Sequence, residues 1–149
     1  MIRRLRFSAA LALCTALAAC SAPKFRTDYS VAVTFTPAAT AALKAASETA
    51  TLDAYYYGTP AEAAKEKANE AGQIEMGQDL AAVDPAASSV HVAGTGIDQQ
   101  HLSAITGTIG VELRVYSGTD RDNLLKCAPV TATLTDLQAR PVTIACDAT

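Results

Sequence analysis

Alternation of apolar with polar residues predicts a mainly β chain, an antiparallel β-sandwich with one or two short surface helices. Tyr29, Val31, Val33 and Phe35 alternate with Ser30, Ala32, Thr34 and Thr36, the two-residue period of a half-buried strand. Ile109, Val111, Leu113 and Val115 alternate in the same way with Glu112, Arg114 and Tyr116. Further short β candidates are separated by Gly, Pro, Asp and Asn, and strand does not alternate regularly with helix as a parallel sheet would require.

Thr36-Pro37 follows the first strand as an N-cap with proline at the first helical position, opening a short alanine-rich turn or helix through Ala46. Thr49 to Tyr57 returns to strand character, with Ala50, Leu52, Ala54 and Tyr56 on one face and Thr51, Asp53, Tyr55 and Tyr57 on the other. Gly58 ends it. Thr59-Pro60-Ala61-Glu62 has the form of a capping box and predicts a helix from Pro60 to Ala71, closed by Gly72 at the left-handed C′ position. Its apolar residues are all alanine, which offer little area at about 25 cal/mol per Å², so it should lie exposed, with charge pairs such as Glu62 and Lys65. Strand candidates continue at Gln73 to Met76, Ser88 to Ala93, Thr108 to Ser117, Ala128 to Leu134 and Pro141 to Cys146. Immunoglobulin-like and transthyretin-like topologies fit this spacing equally well.

The amino terminus is of another kind. Arg3, Arg4 and Arg6 form a cationic start, Phe7 to Ala19 carries no charge, and Leu17-Ala18-Ala19-Cys20 follows. A spanning helix needs about 20 apolar residues, and Ser21, Pro23 and Lys24 arrive too soon for one. The segment resembles the signal peptide and lipobox of bacterial lipoproteins; an ordinary secretory signal cut near the same place is the alternative. The resemblance implies residues 1–19 as a signal peptide, Cys20 as the acylated first residue of the mature chain, 20–28 as a tether and 29–149 as the domain. It further implies, through Ser21, the periplasmic face of the outer membrane, with the lipid bilayer as a partner. Ala54-Tyr55-Tyr56-Tyr57-Gly58 and Asn123-Leu124-Leu125-Lys126-Cys127 also resemble stretches of small uncharacterised bacterial lipoproteins, a likeness that brings no activity with it.

Removal of the signal leaves 130 of 149 residues, enough for one domain. The twelve basic groups fall to nine against fifteen acidic ones, so the mature chain carries about −6. That charge argues against nucleic acid and against attraction to anionic lipid, which leaves anchoring to the acyl chains.

Cys127 and Cys146 remain once Cys14 leaves and Cys20 is acylated, and an oxidising compartment favours a disulfide over metal or redox use. A hairpin centred on Asp136 and Leu137 would set the two cysteines opposite each other. The apolar sets Val130, Ala132, Leu134 and Val142, Ile144, Cys146 require a pairing sum of the other parity. An extra residue at Ala128 or Pro129 would reconcile them.

Chemistry-bearing residues are sparse. His91 falls outward on a strand and His101 in a polar loop after Asp98, so a metal or acid-base site would need the fold to gather them with Asp120. Asp120-Arg121-Asp122-Asn123 fails the EF-hand spacing, and Gly94-Thr95-Gly96 serves a turn better than a dinucleotide. No metal and no cofactor is expected. Tyr55 and Tyr57 share one face, where paired rings would stack on a glycan or receive an envelope protein, unless the helix from Pro60 covers them. The sequence therefore favours a non-catalytic binding or assembly module, with an enzyme or metal-binding protein built from scattered His and Asp residues as the alternative.

Overall fold

The computed structural model describes residues 25–87, 89–118 and 122–149. Among them, eight strands form two four-stranded sheets. One sheet has the order β4 (Val90–Val92), β1 (Tyr29–Phe35), β8 (Val142–Ala148) and β6 (Leu125–Cys127). The other has the order β3 (Ile74–Val83), β2 (Ala50–Pro60), β5 (Ile105–Ser117) and β7 (Val130–Thr133). The fold is a β-sandwich, antiparallel except where β1 runs parallel to β8.

The alternating residues form the core. Tyr29, Val31 and Val33 of β1, Ala50, Leu52, Ala54 and Tyr56 of β2, and Ile109, Val111, Leu113 and Val115 of β5 are buried in one cluster. Helix α1 (Pro37–Ala46) begins as its sequence predicts, with Thr36 Oγ1 accepting from the Ala39 amide at 3.2 Å, and it adds Ala39 and Leu43 to the core. Helix α2 (Leu134–Ala139) adds Leu134 and Leu137.

Two expectations are corrected. The helix from Pro60 to Ala71 does not form: β2 runs on through Pro60, pairing Thr59 with Thr106 and Pro60 with Ile105, and only a 3-10 helix, Glu62–Lys67, follows. Ladder pairing with β5 holds Thr59 and Pro60 extended, so the capping box is pre-empted, and the only buried residue of the short helix is Ala64. Lys65 and Glu62 do pair, at 2.6 Å, on an exposed surface.

The hairpin centred on Asp136 and Leu137 is absent as well. Residues there form α2, capped by Thr133, whose Oγ1 accepts from the Asp136 amide at 3.1 Å. Cys127 nevertheless lies opposite Cys146, with Cα atoms 4.3 Å apart and the sulfurs bonded, because β6 pairs with β8. The parity conflict is resolved by a change of sheet: β6 ends at Cys127, and after Ala128 and Pro129 the chain enters β7 in the other sheet. Proline, which cannot donate to a ladder, stands at that crossing.

Candidate functional site

Sheet order places two polar features on opposite sides of β2. On its inner face, the Tyr56 hydroxyl donates to Asp79 Oδ2 at 2.9 Å and lies 3.0 Å from the Tyr29 hydroxyl. Tyr56 has one proton and gives it to the carboxylate, so Tyr29 is the donor to Tyr56. Asp79 Oδ1 accepts from the Gly96 amide at 3.0 Å and from Thr95 Oγ1 at 3.2 Å. The chain of bonds runs from β1 in one sheet to β2 and β3 in the other and ends in the loop after β4. Burial pushes the Tyr29 phenol up to about 12, with the Asp79 charge adding to it, and burial pushes Tyr56 up as well, reinforced by Tyr29 and Asp79. Gly94-Thr95-Gly96 is thus a structural turn: a Cβ at Gly96 would collide with the Gln78 carbonyl, and Gly77, at φ 106°, faces the Gly96 carbonyl equally closely.

The outer face of the same sheet carries Asp53, Tyr55 and Tyr57 from β2, flanked in register by Arg114, Glu112 and Gly110 of β5. The Tyr55 and Tyr57 rings stack with centroids 6.1 Å apart and planes inclined by 25°. Both side chains are half-buried, so the 3-10 helix leaves them accessible rather than covered. Partial burial raises the Tyr55 phenol, with Glu75 and Glu112 adding to it and a bond to Asn69 opposing it. The Tyr57 ring leans across β5 above Gly110, where a Cβ would stand 2.5 Å from Cε2. Arg114 Nη2 donates to Asp53 Oδ2 at 2.9 Å, while Asp53 Oδ1 is buried without a hydrogen-bond partner among the described residues. Asp53 is 3% exposed although it belongs to the outer face.

A shallow groove of about 400 Å³ borders this face, lined by Tyr57, Thr59, Thr108, Thr131, Thr133 and Asp136 among others. It joins the tyrosine pair to the edge strand β7. The sequence pointed to Tyr55 and Tyr57 but not to the threonines, which gather only because β7 pairs with β5.

The fold brings Asp98 beside His101 but leaves His91 in the other sheet. His91 stands outward on β4 in one sheet, whereas His101 sits in the 3-10 helix Gln99–Ala104 against β3 of the other, its Nδ1 3.1 Å from the Glu75 carbonyl. Asp98 caps that helix by accepting from the Gln100 amide, and lies 3.7 Å from the His101 ring. Among the described residues, no three His, Cys, Asp or Glu side chains gather to hold a metal. Cys20 and Asp120 lie outside the described residues. Asn123, from the acidic turn, has its Oδ1 engaged with the Ser117 and Leu125 amides, a staple between β5 and β6. Among the described residues no helix is long and apolar enough to cross a membrane.

No protein family, no curated protein and no solved structure matches this chain.

Proposed function

We propose that the chain is a lipid-anchored envelope protein, acylated at Cys20 and held at the periplasmic face of the outer membrane, acting as a non-catalytic binding or assembly module. The observation that carries the binding role is the stacked Tyr55–Tyr57 pair, half-exposed on the outer face of the β3-β2-β5-β7 sheet. Rings of this size usually contribute buried area, and their exposure on a rigid sheet provides an apolar surface for a partner at little ordering cost. The tether supports the anchoring role. Gln138 Nε2 donates to the Arg26 carbonyl at 2.7 Å, fixing the start of the domain beside α2. From Arg26 back to Cys20 the chain reaches at most about 22 Å when extended, so the anchor holds this end of the sandwich close to the bilayer. Phe25, 48% exposed, belongs to that end.

The test uses the full chain expressed in a bacterium with an outer membrane. Wild type should fractionate with membranes and the Cys20→Ala chain should not; membrane retention of that variant removes the anchor. Purified full-length protein should bind isolated envelope fragments saturably, and Tyr55→Ala with Tyr57→Ala should weaken that binding about tenfold or more, given roughly 0.5–1.5 kcal/mol per aromatic contact. Unchanged binding removes the face.

A further inference from the structure

The groove beside Tyr57 has a chemistry of its own. Gly110 pairs with Tyr57 on one side and Thr133 on the other, so the outward side chains of three strands converge where β5 contributes only hydrogen. Thr133 is occupied, since its Oγ1 donates to Asp136 Oδ2 at 2.7 Å and accepts from the Asp136 amide. The hydroxyls of Thr59, Thr108 and Thr131 make no hydrogen bond to the protein among the described residues. Each is both donor and acceptor. The lining contains one carboxylate, Asp136, and no basic side chain. An anion would meet repulsion there, and a purely apolar ligand would leave the hydroxyls unpaired. A neutral polyol meets neither penalty.

We propose that this groove binds a neutral saccharide chain, one sugar face lying on the Tyr57 ring and the ring hydroxyls exchanging hydrogen bonds with Thr59, Thr108 and Thr131. The proposal rests on the reading of this sheet face as the binding face and names its ligand class. Its volume falls within the range of about 300–1,000 Å³ found for small-molecule sites, and its shallowness suits a segment of a longer chain. An extended peptide would instead use the free edge of β7, where its affinity would come from backbone bonds and not from threonine hydroxyls.

The experiment is calorimetry on the full-length protein in detergent with a panel of neutral tetrasaccharides, cellotetraose and chitotetraose among them, and tetragalacturonate as the acidic control. At least one neutral probe should bind with a Kd of about 1 mM or tighter, and the acidic one at least about tenfold more weakly. Thr131→Val keeps the branched shape and an exposed position, so it should fold normally yet weaken binding about fivefold to tenfold. Tyr57→Phe should retain binding, and Tyr57→Leu should lose most of it. No binding of any neutral probe, preference for tetragalacturonate, or indifference to both Thr131→Val and Tyr57→Leu overturns the proposal. If envelope association falls with the tyrosine double variant but survives Thr131→Val, and no tetrasaccharide binds, the groove proposal fails while the binding face stands. If association ignores the tyrosine pair, the face reading fails first.

Discussion

Replacing Tyr56 with phenylalanine tests the bond chain between the sheets. The hydroxyl donates to Asp79 Oδ2 at 2.9 Å and accepts from Tyr29 at 3.0 Å, so a single oxygen is removed from the middle of the chain. A hydrogen bond to a charged group contributes about 1.5–3 kcal/mol, and the Tyr29 hydroxyl, on a residue only 4% exposed, is left without its acceptor. The expected cost is about 3 kcal/mol, or a Tm lower by about 10 °C for a domain of this size. Tyr29→Phe removes the outer end alone. Tyr56 then keeps its bond to Asp79, and the cost should be about 1 kcal/mol. In the Tyr56→Phe background the same change deletes a hydroxyl that has already lost its partner, so the double variant should be no less stable than Tyr56→Phe, a coupling of about 1 kcal/mol. Urea unfolding followed by far-ultraviolet circular dichroism at neutral pH reads all three variants, with constant m-values as the check on two-state behaviour. Equal costs for the two single variants, or strict additivity, would refute this order of donors.

Three other outcomes follow from the same structure. Both buried tyrosines hold their protons more tightly folded than unfolded, so stability should be flat up to about pH 10 and fall as pH rises through 12, with Tyr29 contributing about 2–3 kcal/mol of the loss; the loss should shrink in Tyr29→Phe, as read by urea midpoints across that range. Reduction of Cys127–Cys146, which spans a sequence separation of 19, should cost about 3 kcal/mol in the chain-entropy account, measured by melting with and without reductant; no change would show that the β6–β8 pairing holds unaided. The bond from Thr36 Oγ1, 2.7 Å from Asp147 Oδ1, holds that carboxyl below its ordinary range, so Thr36→Val should raise its titration midpoint by carbon-detected nuclear magnetic resonance and cost about 1 kcal/mol of helix capping, whereas Thr36→Ser should preserve both.

Legibility varied with the range of the interaction. Tyr29, Val33, Leu52, Val111, Leu113 and Val115 were assignable to the core because the two-residue period acts locally. The α1 start was readable from Thr36-Pro37 for the same reason. Helix α2 has a local signal that competes with a hairpin turn at Asp136 and Leu137: Thr133 three residues before Asp136, with Leu134 and Leu137 spaced three apart. Nothing local announced that β2 would continue through Pro60, since its pairing with Ile105 lies far along the chain. Tyr55 and Tyr57 could be placed on one face, but their accessibility depended on how short the following helix proved to be.

Residue order alone carried the inward-turning positions of β1, β2 and β5, the β class and the match of Cys127 with Cys146, because side-chain direction and thiol number are properties of the chain read in sequence. Long-range packing was needed to choose the parallel pairing of β1 with β8, the crossing between sheets at Ala128 and Pro129, and the meeting of Tyr29, Tyr56 and Asp79. It also set the convergence of Tyr57 with Thr133 across Gly110, and with Thr131 along the same groove. These are contacts between segments distant along the chain, and their energy comes from burying whole sheet faces together, which no local pattern encodes.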